Sequence, residues 1–274
     1  MILYALVGGI TELLPVSFPG HATILQKTFN IPTLLEGEGC YIRAAISLGT
    51  ILAVYLSFFR EARDSRMILR GIRTRRPNQR TNLDAQLKIR VNLLAVFALI
   101  PMFVSFVFLR RAQSLTSLTW VSGLFLVNTL LLILCTRGPE GDREERDVTL
   151  FDTLLIGLFR MFAVFPGLSG VCASICIGRA RGFSNRFNLR FTYLLTLVYE
   201  IGAFLFYLIC AFRFGSFRAG LLLPCAMVTG ISVVVGYFTL TYFRNMVMNN
   251  KLRSFTYYCI DAAAIAFIIA ILNA

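Results

Sequence analysis

The sequence predicts an all-α integral membrane protein, a polytopic helix bundle, and three observations carry that reading. Of 274 residues 57% are hydrophobic and only 15% charged, with a mean hydropathy of +0.72, more apolar surface than one soluble core can hide. The apolar residues fall into runs close to the ~20 residues a helix needs to cross ~30 Å of hydrocarbon. Two of the runs are short and end in Gly/Pro-rich breaks, at Leu14–His21 and at Val164–Gly170.

The first segment, Met1–Leu14, has no basic leader and runs straight into Glu12 and Pro15 without a small-residue cleavage site, so it reads as retained in the membrane. Tyr41–Phe59, Val91–Leu109 and Leu118–Cys135 each read as a crossing helix. Leu150–Phe165 is again short and runs into the second break; Phe187–Phe212, Ala219–Phe243 and Phe255–Ala274 return to full length. Backbone that leaves helical geometry at membrane depth must be buried in protein or line a wet cavity, because lipid offers no hydrogen bonds. Interrupted segments in corresponding places of two halves point to an internal repeat with a midplane site. The expectation is one membrane domain, residues 1–274, holding two repeats. The first covers about 1–110 with its break within 12–30, and the second about 117–274 with its break within 160–180.

Charge sets the expected orientation. The segment Arg60–Arg90 carries ten Lys and Arg against Glu61, Asp64 and Asp84, which assigns it to the cytoplasm as a basic loop, with anionic lipid heads favoured over nucleic acid as its neighbour. The site between the breaks then opens to the outer face, and both breaks are expected to be reached from that side. The stretch Arg137–Thr149 is mixed in sign and reads as an ordinary solvated connection. Seven scattered cysteines without a CxxC pair, and a single histidine, argue against a disulfide framework and against zinc. A carboxylate-bound Mg2+ or Ca2+ stays open.

The strings "GGITELLPVSFPGH", "AAISLGTILAVYLSFFR", "ALIP", "IGLFRMFAVFPGLSGVCASICIGRARGFS" and "FTYLLTLVYEIGA", in this order and spacing, resemble the undecaprenyl-diphosphate phosphatase family of bacitracin-resistance type. The resemblance covers nearly the whole chain. It implies a fold of two inverted repeats, each with a re-entrant helix hairpin, near 12–30 and near 160–180, a bacterial inner-membrane location, and removal of one phosphate from a C55 polyprenyl diphosphate on the outer face. Against the family's first motif, E-G-x-T-E-F-L-P-[IV]-S-S-T-G-H, Glu12, Ser17, Gly20 and His21 match. Gly8 stands where the first glutamate belongs, Phe18 at the serine nucleophile and Pro19 at the threonine. Against the second, P-G-x-S-R-S-G-A-T, Pro166, Gly167 and Ser169 match while Gly170 replaces the arginine and Val171 the next serine. Ser47 and Arg160 stand where the family has glutamines.

Diphosphate hydrolysis needs a nucleophile, a base and positive charge around the phosphoryl oxygens, and these departures fall on such groups. The catalytic set implied by the resemblance is Glu12, Ser17 and His21, with Glu12 also the one matched metal ligand should Mg2+ or Ca2+ take part. Phosphate binding is assigned to Ser169, Gly167, Gly20, Arg160, Arg179 and Arg43. Glu200, mid-helix in "LLTLVYEIGAFLF", is a further intramembrane acid. It pairs with Arg160 or Arg43 in one reading; in the other the arginines face a lipid phosphate. Glu12 and His21 equally suit satisfaction of hairpin backbone, and Ser17 and Ser169 suit helix N-caps. Three functions remain: binding or transport of polyprenyl phosphate or diphosphate with little or no hydrolysis, an active phosphatase with a rebuilt site, and a partner subunit in cell-envelope assembly. Monomer and homodimer both remain open, and nucleic acid is not expected as a partner.

Overall fold

The computed structural model describes residues 1–72, 79–214 and 218–273, with side chains described outside 58–85, 88, 110 and 113. Among the described residues the chain forms ten α-helices and no strand: α1 Ile2–Thr11, α2 Phe18–Phe29, α3 Glu38–Ile72, α4 Gln79–Gln113, α5 Leu118–Arg137, α6 Leu150–Met161, α7 Gly170–Ala180, α8 Asn185–Phe214, α9 Leu222–Met248 and α10 Ser254–Leu272. Six contain stretches long and apolar enough to span a membrane, within α3, α4, α5, α8, α9 and α10. Their outer faces are apolar as lipid requires: Val107 on α4, Phe238 on α9 and Leu272 on α10 are among the exposed large side chains. The protein is a multi-pass all-α membrane bundle.

The segment read as a basic loop is largely helical. The chain stays helical to Ile72 at the end of α3 and resumes at Gln79 in α4. Residues 60–72 and 79–90 carry several Arg, Leu, Ala and Gln, which favour helix wherever solvent replaces lipid. Much of the segment's side-chain chemistry, Arg73, Arg75 and Arg76 included, lies outside the described residues.

Short helices pack in two pairs, each around a break. Residues 12–17 separate α1 from α2. Ser17 is the N-cap of α2, its hydroxyl oxygen accepting from the Gly20 amide at 3.2 Å, and Pro19 sits in the first turn where no N–H is needed. A 3₁₀ turn, Phe162–Val164, and residues 165–169 separate α6 from α7, with Ser169 capping α7 by accepting from Cys172 at 3.2 Å. Gly167 turns the second break at φ +114, and a Cβ there would lie 2.7 Å from the Leu124 Cβ, so both conformation and close approach require glycine.

The two pairs enter the bundle from opposite ends. Arg90, near the start of the apolar part of α4, donates at 3.0 Å to both Arg146 O and Val148 O, which ties the entry to α6 to the end where α3 leaves and α4 returns. Chain exit from α7 is at the same end, since Arg143 and Phe183 form a β-bridge. The α1–α2 pair meets the other end: Tyr4 donates to Pro32 O at 3.1 Å, just before α3 begins. This corrects the expectation that both breaks are reached from one side. Counting crossings from the basic segment, out along α4 and back along α5, already places 138–149 at the basic end.

That connection is mostly solvated, as expected, and is tied to the bundle through Arg143. Asp152, fully buried, accepts from Arg143 at 2.8 Å and from Arg181 at 2.5 Å, and it completes a capping box with Thr149. Arg181 is therefore held by a buried carboxylate rather than free at an interface.

Candidate functional site

Both breaks meet in the middle of the bundle, and their caps lock them together. The Ser17 oxygen accepts a second hydrogen bond, from Gly167 N at 2.9 Å, while Ser169 donates to Leu14 O at 3.2 Å. Each cap thus serves its own helix and the opposite break. Asn128 of α5 completes the joint, donating to Pro15 O at 3.0 Å and accepting from Ser169 N at 3.0 Å. A buried backbone amide or carbonyl without a partner costs about 1–3 kcal/mol, so these few bonds satisfy groups that lipid cannot.

Around the joint lies a small cavity of about 40 Å³, walled by both breaks and by α3, α6 and α8. The N-terminal ends of α2 and α7 face it, where the positive helix pole favours an anion. A second cavity shares Phe18, Pro19 and Arg43 with it and continues along α2 to Thr33–Leu35, at the end opposite the basic segment.

Four charged side chains line the central cavity. Glu12 and Arg43 form an ion pair at 2.5 Å, with the Arg43 guanidinium also donating to Ser47 at 3.1 Å. The guanidinium lies 4.7 Å from the Phe18 ring centroid and 5.1 Å from that of Tyr207, so the aromatic faces stabilise it where water is scarce. Arg160 donates to Gly170 O at 2.9 Å, Ser174 at 3.0 Å and Thr196 at 2.8 Å. Its guanidinium occupies the space beside Gly170: a Cβ on Gly170 would meet Arg160 Cζ at 3.2 Å. An arginine entering from α6 therefore stands next to the motif position that has lost one. Glu200 on α8 is 1% exposed, and its Oε2 finds no hydrogen-bond partner.

The geometry sorts the residues expected from sequence. Glu12, Ser17, Ser169, Arg43, Arg160 and Glu200 line one cavity, and Gly20 and Gly167 stand at its back in the joint between the breaks. His21 does not line it. Its Nδ1 lies 2.6 Å from Ser17 O, an acceptor, so Nδ1 carries the hydrogen; Nε2, 2.8 Å away, accepts from Tyr258 in the neutral ring. Arg179 is also elsewhere. It sits near the far end of α7, about 14 Å along the helix from Gly170 by helical rise, bonded to Asn185 at 3.4 Å and Gly138 O at 3.3 Å. Eleven residues of regular helix separate the ends of α7, which removes Arg179 from the phosphate-binding set.

Arg43 pairs with Glu12 rather than with Glu200, and no salt bridge to Glu200 occurs among the described residues. With one oxygen taken by a guanidinium, Glu12 is poorly disposed as a metal ligand, and no three metal-ligating side chains converge among the described residues. Sequence reasoning missed Asn128, Thr196, Ser174 and Tyr199. The only local signal for Asn128 is a lone amide within "LFLVNTLLLIL", and an amide buried among apolar residues needs partners.

The family model described as "Bacitracin resistance protein BacA" matches residues 1–265. Among curated relatives, an undecaprenyl-diphosphatase of Alkaliphilus metalliredigens is 27% identical over 282 residues, covering 99% of this chain and 98% of the relative. One of Ruegeria pomeroyi is 32% identical over 200 residues, 72% of this chain and 71% of the relative. A third, of Methanococcus maripaludis, is 26% identical over 266 residues, 96% of each chain. A match over nearly the whole length, on a bundle whose two breaks meet at one charged cavity, makes the chain a member of the BacA bacitracin-resistance family of undecaprenyl-diphosphatases.

Proposed function

We propose that the protein binds or transports a polyprenyl phosphate or diphosphate carrier lipid of cell-envelope synthesis with little or no hydrolysis. One observation carries this: two guanidinium groups and two helix N-termini face the cavity, while the family's nucleophile position holds Phe18. Phe18 fills the serine's place beneath the Arg43 guanidinium. Ser17 is 1% exposed, and both of its lone pairs accept backbone N–H bonds, from Gly20 and Gly167. His21, the matched histidine of the first motif, faces Tyr258. Each half of the chain offers a short helix pair followed by three long helices, 1–137 and 150–272, and the pairs enter from opposite ends. That supports inverted repeats with re-entrant hairpins and moves the boundary to 138–149. Such a fold suits alternating access. The phosphatase reading retains the support of the relatives' names and of the matched Glu12, Ser17 and Ser169.

Binding of farnesyl phosphate against farnesol, by calorimetry on the purified protein, tests the reading. Arg160→Gln, which restores the glutamine that the resemblance places there, should weaken the phosphate by about 10–100-fold, the loss of charge-assisted hydrogen bonds worth about 1.5–3 kcal/mol. Farnesol affinity should be unchanged. Equal affinities for the two lipids in the unmodified protein would remove the phosphate site.

The path along α2 toward Thr33–Leu35 supports an outward-opening site in the inner membrane, with the basic end in the cytoplasm. In a cysteine-free background, Gly220→Cys should react with an impermeant maleimide in intact cells and Asp142→Cys only after permeabilisation. The reverse pattern would invert the orientation.

A further inference from the structure

The charge balance of the central cavity is one that an anionic ligand must disturb. Among the described residues, Glu12 faces it from the end of α1, Arg43 from α3, Arg160 from α6, and Glu200 with the phenol of Tyr199 from α8. The first residues of α2 and α7 add only neutral groups, Ser17, Phe18, Pro19, Ser169, Gly170 and Val171. With both carboxylates ionised the four charges sum to zero. A phosphate monoester, whose second pKa is about 6, brings nearly two negative charges at neutral pH. Burying those charges beside two carboxylates is unfavourable unless something neutralises them.

The groups are not equally free to respond. Glu12 is held by Arg43 at 2.5 Å. Arg160 spreads its two terminal nitrogens over Gly170 O, Ser174 and Thr196 and keeps only Nε without a partner, a donor that can meet a phosphoryl oxygen but takes up no proton. Glu200 alone presents a carboxylate oxygen, Oε2, that is buried without a hydrogen-bond partner. As a carboxylate, that oxygen repels a phosphoryl oxygen; as a carboxylic acid it donates a hydrogen bond to it.

We infer that the phosphate head group enters together with one proton, which Glu200 takes from the medium and presents to a phosphoryl oxygen as an O–H donor. The inference rests on the proposed binding of a polyprenyl phosphate. The balance is simple: the Glu200 carboxylate gains H+ as the lipid arrives and returns it when the lipid leaves, with no covalent change. Linkage makes the effect reciprocal, so lower pH tightens lipid binding and bound lipid raises the proton affinity of the site. The lipid then loads preferentially from the side of higher proton activity.

Calorimetric titration of the full-length protein with farnesyl phosphate, near pH 8 in two buffers of different ionisation enthalpy, counts the protons directly. About one proton taken up per lipid is expected, and affinity should fall by up to about tenfold per pH unit above the titration of Glu200. In Glu200→Gln, a near-isosteric change, uptake should drop close to zero and affinity should vary less than about twofold over the same range. Farnesyl phosphate binding with no proton uptake by the unmodified protein overturns the inference while leaving the binding site intact, whether or not the variant folds. Uptake that persists in Glu200→Gln also overturns it, since the proton then resides on the phosphate or another group. Failure of both farnesyl phosphate and farnesyl diphosphate to bind overturns the carrier-lipid reading itself, and this inference with it.

Discussion

Phosphate release from a C55 polyprenyl diphosphate by the unmodified protein is expected to stay at background, with Mg2+ or Ca2+ making little difference. Phe18 cannot attack phosphorus, and the one remaining hydroxyl in the break, Ser17, has both lone pairs committed to backbone amides. Loss of a single transition-state contact costs about 10²–10³ in rate, and groups that act as a unit do not add. Rescue must therefore restore the set together, and the structure says how. Gly8→Glu places a Cβ 2.6 Å from Ile46 Cγ2, so it needs Ile46→Ala; Gly170→Arg places its Cβ 3.2 Å from Arg160 Cζ, so it needs Arg160→Gln. With Phe18→Ser these changes return nucleophile, paired carboxylate and motif arginine, and they clear Ile46 Cγ2 and Arg160 Cζ from the two added Cβ atoms. Turnover should rise by about 10²-fold or more over Phe18→Ser alone, measured as inorganic phosphate. Robust release by the unmodified protein that disappears with Ser17→Ala would instead establish an active phosphatase with a rebuilt site.

The long helices are legible in the sequence because each is a local property: an apolar run of the right length needs no partner to be recognised. The breaks are legible for the same reason, since Pro15, Pro19, Pro166 and Gly167 mark them wherever the chain goes. What joins the breaks is not local. Asn128 reaches Pro15, 113 residues away, and Ser17 meets Gly167, 150 residues away. No spacing rule connects such positions.

Charged residues divide in the same way. That Arg43, Arg160 and Glu200 matter follows from the expense of an ionisable group inside an apolar run, and all three line the cavity. Their partners do not follow, because opposite charges on different helices pair according to packing. Glu200 attracts no arginine within bonding distance among the described residues, while Glu12, at the end of a short helix, lies where α3 passes. Arg179 shows the opposite error. Proximity in sequence to the second break placed it in the site, and the rise of α7 carries it to the other end of that helix.

Removing Arg43 is expected to destabilise the protein more than removing both members of its pair. In Arg43→Met the Glu12 carboxylate, only 12% exposed, is left buried without its counter-charge. Breaking a buried pair from one side costs about 3–5 kcal/mol, whereas replacing both partners by neutral groups of similar volume is often close to neutral. At roughly 2–4 °C per kcal/mol for a chain of this order of size, Arg43→Met should lower the midpoint of thermal unfolding in detergent by about 10 °C, and Arg43→Met with Glu12→Gln should recover most of that. Arg43→Lys should rescue little. An ammonium keeps the charge but cannot bond Glu12 and Ser47 together from a planar fork, nor cover the Phe18 and Tyr207 rings as the guanidinium does. A pair exposed to solvent would behave otherwise, with each single change costing less than about 1 kcal/mol and the double change their sum. Additivity in that cycle would show that water reaches the Glu12–Arg43 contact, and the cavity would then be too wet for an unpaired carboxylate to matter.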